Sequence, residues 1–159
     1  ALAPRWSDEL VSSVDLAPTL LELAGASPLP EVQGRSIVPL LFEDPEWAPT
    51  QTLFSEMELH SGAHPTRACR TDQFKFIRNY SEEPWGEGGG SGAWKDRLAE
   101  EPYQTWDELR VPEELYDLHA DPQERNNLID DPAHADVYAE MVACLDAHMK
   151  GTNDFRFAE

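Results

Sequence analysis

The sequence predicts an α+β fold: an antiparallel sheet of about four strands covered by a long C-terminal helix. Three observations predict it. Residues 51–80 alternate apolar and polar side chains with a period of two, which suits strands with one buried face. The same pattern returns at Glu114–Leu118 after a long interruption. Near the end, Val137, Met141, Cys144, Leu145 and His148 follow one another at steps of four, three, one and three, the spacing of one helical face.

Taken in order, "SSVDLAPTLLELAG" reads as a helix with both ends marked. Asp15 can cap it, and Pro18 falls in the first turn, where a missing N–H breaks no intrahelical bond. Leu16, Leu20 and Leu23 form one apolar stripe, and Gly25 supplies a left-handed stop. "SPLPEVQGRSIVPLL" is a Pro-punctuated, mostly extended connector leading to the short apolar run Ile37–Phe42. Strands are expected at Gln51–Met57, Thr66–Arg70, Phe74–Tyr80 and Glu114–Leu118, with a turn at Thr71–Gln73. On the third, Phe74 and Phe76 share one face, and Lys75 and Ile77 the other. Ser81–Pro112 forms a long excursion containing "GEGGGSG", with short helices expected at Trp94–Glu100 and Gln104–Arg110. Asp121-Pro122 then turns the chain into the last helix, Pro132–Lys150, about 28 Å long at 1.5 Å per residue, with Gly151 past its end.

Composition narrows the partners. The chain has 159 residues, 40% hydrophobic with five Trp, which suits a packed globule. Against 31 acidic residues stand 12 basic ones, a net charge of −19 that repels phosphate backbones and anionic membranes, so no nucleic acid and no membrane is expected as a partner. An acidic surface of this kind fits work in high salt, and equally an ordinary acidic protein. No stretch approaches the ~18 apolar residues of a membrane span. Cys69 and Cys144 are distant in sequence and in unlike contexts, and both read as buried thiols.

Three ordered blocks carry a family resemblance. "LYDL…DPQERNNL", "VDLAPTLLELAG…GRSIVPLL" and "TRACRTDQFKFIRN" resemble the C-terminal end of sulfatases of the alkaline-phosphatase superfamily, and together they cover Val11 to about Thr152. Glu56, His60, Pro65 and Arg67 stand as E-x3-H-x4-P-x-R, a spacing similar to the branch that includes heparan N-sulfatase (sulfamidase). The resemblance implies that residues 1–45 are the end of the large α/β sulfatase domain, as helix and connector, and 46–159 its C-terminal subdomain. It also implies hydrolysis of sulfate esters or N-sulfates, with a sulfated small molecule or saccharide as substrate and an N-terminal catalytic domain as partner. A formylglycine nucleophile and a calcium ion would serve that missing part.

This chain holds neither: no proline stands two places after Cys69 or Cys144, and the paired N-terminal aspartates of such a metal site have no counterpart. No catalytic residue and no metal ligand is therefore expected here, and the segment alone is expected to be inactive. Asp117, Asp121 and Glu124 lack the ligand alternation and central glycine of a calcium loop. The substrate-binding candidates are His60, His64 and Arg67, expected on a short loop between strands as a cationic lip whose side chains can donate to sulfate oxygens. The competing reading pairs Arg67 with a carboxylate such as Glu56. A second function class, a standalone acidic binding or scaffold module, stays open beside the enzyme.

Overall fold

The computed structural model describes residues 6–59, 63–81 and 111–158, excepting the side chains of Leu59, Ala63, His64 and Ala158. The helices expected at Trp94–Glu100 and Gln104–Arg110 lie outside these residues. The chain forms two compact units, Ala1–Leu53 and Phe54–Glu159.

In the first unit a 3-10 turn at Ser13–Asp15 runs into α1 (Leu16–Leu23), and α2 (Val38–Leu41) follows the connector. Asp15 does more than cap. Its buried carboxylate accepts from the backbone N–H of Ser12 and of Arg35, both at 2.9 Å. Thr19 Oγ1 donates to the Asp15 carbonyl at 2.6 Å and accepts from Ile37 N–H at 3.0 Å. Two polar side chains thus stitch the helix to the connector, and Gly34 permits the approach: a Cβ there would meet the Val14 carbonyl oxygen at 2.0 Å. Gly25, at φ +64°, ends α1 in a Schellman turn, with Ala26 N–H bonded to Leu21 O and Gly25 N–H to Glu22 O. Leu16, Leu20 and Leu23 remain 57%, 65% and 52% exposed, so the apolar stripe of α1 has no cover within its unit.

The second unit is a four-stranded antiparallel sheet, order β1 (Leu53–Leu59), β2 (Ala63–Arg70), β3 (Phe74–Asn79), β4 (Glu113–Asp117), with α3 (Ala135–Gly151) across one face. The register pairs Cys69 with Phe76 and Phe76 with Leu115, which aligns the inward side chains in one row. Against that row α3 sets Met141, Leu145 and Met149, at i, i+4 and i+8. Phe76, Leu115, Leu145 and Met149 are fully buried, each contributing about 1.5–3 kcal/mol of transfer free energy. Val137 and Tyr138 pack at the margin of this core, and His148 stacks on Phe54 with ring centroids 3.7 Å apart. Cys69 and Cys144 are both free thiols, the first buried and the second half-buried. Among the described residues no helix is long and apolar enough to cross a membrane.

The segment between β4 and α3 protects the edge of the sheet. Asn127 Oδ1 accepts from the N–H of Leu115 at 2.9 Å, its Nδ2 donates to the Glu113 carbonyl, and Leu128 N–H bonds Leu115 O at 2.8 Å. The asparagine substitutes for a fifth strand. Asp131 starts the helical segment by accepting from Ala133 N–H, with Pro132 in first place. The stop differs from expectation. Gly151 is the last residue of α3, and the left-handed residue is Asn153, at φ 55°. Asp154 N–H to Met149 O and Asn153 N–H to Lys150 O make this a Schellman turn, for which asparagine is the usual substitute for glycine.

Candidate functional site

That turn delivers Asp154 to the sheet. The register places the start of β2, the end of β3 and the start of β4 at one end of the sheet. There Arg67 of β2 is 4% exposed and ion-paired from several sides. Its Nε and Nη2 meet the two oxygens of Asp154 at 2.5 and 3.1 Å, and Nη2 also meets Glu58 of β1 at 2.5 Å. Nη1 donates to the carbonyls of Thr66 and Met57 at 3.0 and 3.4 Å. Arg156 completes the network, its guanidinium reaching both oxygens of Glu58 within 3.0–3.2 Å.

The charges shift one another accordingly. Asp154 is held below the ordinary carboxylate range, chiefly by its hydrogen bonds from Arg67. Glu58 is lowered chiefly by Arg156, and Arg67 is raised chiefly by Asp154, against the opposing effect of burial.

This geometry corrects the expectation for Arg67. Its guanidinium faces the interior of the domain, because Asp154 and Glu58 offer bidentate, partly desolvated acceptors that a solvent-facing lip lacks. Glu56, the partner weighed from sequence, stands farther off at 3.8 Å. His60 lies outside the described residues. His64 is on β2, and its side chain is not among those described. The residues that complete the network went unforeseen for a plain reason: Asp154 and Arg156 stand 87 and 98 positions from Arg67 and Glu58, respectively.

A cleft of about 620 Å³ opens at the same end, lined by Arg78, Tyr80, Pro112, Ile129, Arg156 and Phe157 among others. Its cations are already engaged. Arg78 pairs with Glu113 at 2.9 Å and Asp146 at 2.7 Å, while Arg156 lies over the Tyr80 ring, 5.4 Å from its centroid. The cleft therefore offers apolar surface from Tyr80, Pro112, Ile129 and Phe157 beside charges that are already paired, which suits shape complementarity more than charge capture.

Among the described residues no group of three or more His, Cys, Asp or Glu is placed to hold a metal ion.

Sheet and covering helix together make an α+β domain of the kind found at the C-terminus of sulfatases. The chain belongs to the family "N-sulphoglucosamine sulphohydrolase, C-terminal", whose model matches residues 3–87, over half its length. An ulvan-active sulfatase of Formosa agariphila is 26% identical over 152 residues, which span 93% of this chain and 30% of that protein. Human N-sulphoglucosamine sulphohydrolase is 29% identical over 161 residues, 84% of this chain and 31% of that protein. Among solved structures, a 2-O GAG sulfatase superposes with a TM-score of 0.69 at 27% identity, covering 98% of this chain and 28% of that one. The chain thus spans about three-tenths of the length of these relatives.

Proposed function

We propose that this chain is the C-terminal part of a sulfatase that hydrolyses sulfate esters or N-sulfates of a saccharide. The formylglycine and the calcium ion belong to an N-terminal catalytic part outside the sequence, against which residues 1–45 pack as the end of the large domain. The observation that carries this reading is the bare leucine stripe of α1, since three leucines more than half exposed call for an apolar cover. A standalone acidic binding or scaffold module would leave that stripe in water. The saccharide class follows from the relatives, which are named for ulvan, for N-sulphoglucosamine and for GAG.

In this reading residues 46–159 form one wall of the substrate cleft, and His60 and His64 supply its cationic contact to sulfate. A charge-assisted hydrogen bond to sulfate is worth roughly 1.5–3 kcal/mol, one to two decades of affinity. The test uses the full-length protein with a sulfated saccharide and a small aryl sulfate. His60→Ala and His64→Ala should raise KM for the saccharide tenfold or more and spare the aryl sulfate. Equal losses on both substrates would remove the histidines from recognition, and a full-length protein without sulfate-releasing activity would remove the enzyme reading.

A further inference from the structure

A pair of sulfurs lies where α3 crosses β2. Cys69 sits within β2 at 1% exposure, and its Sγ donates to the carbonyl oxygen of Met141 at 3.5 Å. Met141 stands one turn before Cys144, so the contact of Cys69 with the Met141 carbonyl brings the two cysteines to the same helix–sheet crossing, close enough to interact. The surroundings of Cys69 are Phe76, Leu115, Met141, Leu145 and Met149, which supply no base. The ion-paired site uses neither cysteine.

We infer that Cys69 and Cys144 are a latent cross-link, a redox-sensitive pair that closes into a disulfide and fastens the covering helix to the sheet. The half-buried Cys144 is the thiol that an oxidant reaches first. As a thiolate it attacks one sulfur of a small disulfide such as glutathione disulfide, forming a mixed disulfide and releasing one glutathione thiol. Cys69 then gives up its proton and attacks the Cys144 sulfur, expelling the second glutathione. Two protein S–H bonds become one S–S bond, while the oxidant takes two electrons and two protons and leaves as two thiols. Burial, foremost, and then the neighbouring Cys144 push the Cys69 thiol up to about 12, against a small opposing effect of Arg78 on β3. The second step is therefore slow at neutral pH, and the mixed disulfide accumulates ahead of the cross-link.

The test incubates the intact protein in a glutathione redox buffer and maps its peptides without reduction. The expected result is a mixed disulfide at Cys144, followed by a linked peptide pair containing Cys69 and Cys144 and a melting temperature raised on the order of 10 °C, reversed by dithiothreitol. Cys69→Ala should stop at the mixed disulfide, and Cys144→Ser should leave Cys69 reduced. A mixed disulfide that never resolves, a cross-link that forms only in denaturant, or one that lowers the melting temperature would each overturn the inference.

Discussion

Asp154→Ala opens the ion network from its most buried side. The substitution leaves the Arg67 guanidinium, 4% exposed, with Glu58, the more distant Glu56 and two backbone carbonyls. Removing one partner of a buried pair costs about 3–5 kcal/mol when the remaining charge is uncompensated. Glu58 stays within 2.5 Å of Nη2, so the lower end applies, about 3 kcal/mol. Glu58→Gln removes a carboxylate that is 40% exposed, where solvent screening holds the loss to about 1 kcal/mol. Arg67→Met combined with Asp154→Leu should recover most of the stability, since neither charge then stays buried alone. Urea denaturation followed by circular dichroism reads all three. Both carboxylates have folded pKa values below their unfolded ones, so their stabilisation is full above the unfolded values, about pH 4, and lost as pH falls through the folded ones. Asp154→Asn should accordingly flatten the acid limb of stability against pH. A loss under 1 kcal/mol for Asp154→Ala, or an acid limb unchanged in Asp154→Asn, would refute the reasoning.

The remaining predictions concern the frame around that network. Asn127→Ala strands the Leu115 N–H at the sheet edge and should cost about 1–2 kcal/mol, with faster hydrogen exchange at Leu115. Gly34→Ala forces a Cβ against the Val14 carbonyl and should destabilise the first unit by about 2–3 kcal/mol, read by proteolysis within residues 6–53. Leu145→Ala empties a 1%-exposed position and should cost about 2–5 kcal/mol in chemical denaturation.

The elements that periodicity governs were legible in the sequence. Phe74 and Phe76 gave the third strand its face, and the step from Met141 to Leu145 gave the last helix its stripe. Met149 escaped the stripe as drawn, because the sequence reading ended it at His148, one residue short of a full further turn. Asn127 was visible as an asparagine but not as an edge cover, since its partners lie 12 and 14 residues back, across a turn. Arg67 is the instructive miss. A cation beside two histidines in an acidic chain looks like a ligand site when its neighbours in sequence are all one sees. Its real neighbours depend on where the last helix stops, and Asn153 rather than Gly151 sets that stop. The competing reading, a local carboxylate partner, came closer: Glu58 stands two residues from the Glu56 it named.

The position of that stop links the two halves of the chemistry. A Schellman turn at Asn153 reverses the chain directly after α3, so Asp154 and Arg156 arrive at Arg67 and Glu58 instead of running on into solvent. Glu58 is the penultimate residue of β1 and Arg67 the fifth of the eight residues of β2, so the network clamps these two strands to each other. Arg67, Arg78 and Lys75 are each committed to carboxylates of the same domain, as is Arg156. A chain with a net charge of −19 that spends these cations internally repels a sulfated sugar at long range. Under the proposed function, sulfate is therefore drawn in at long range by the catalytic part, and this domain acts at short range, through a cleft wall whose His60 and His64 meet the bound sulfate and whose strands are clamped by ion pairs.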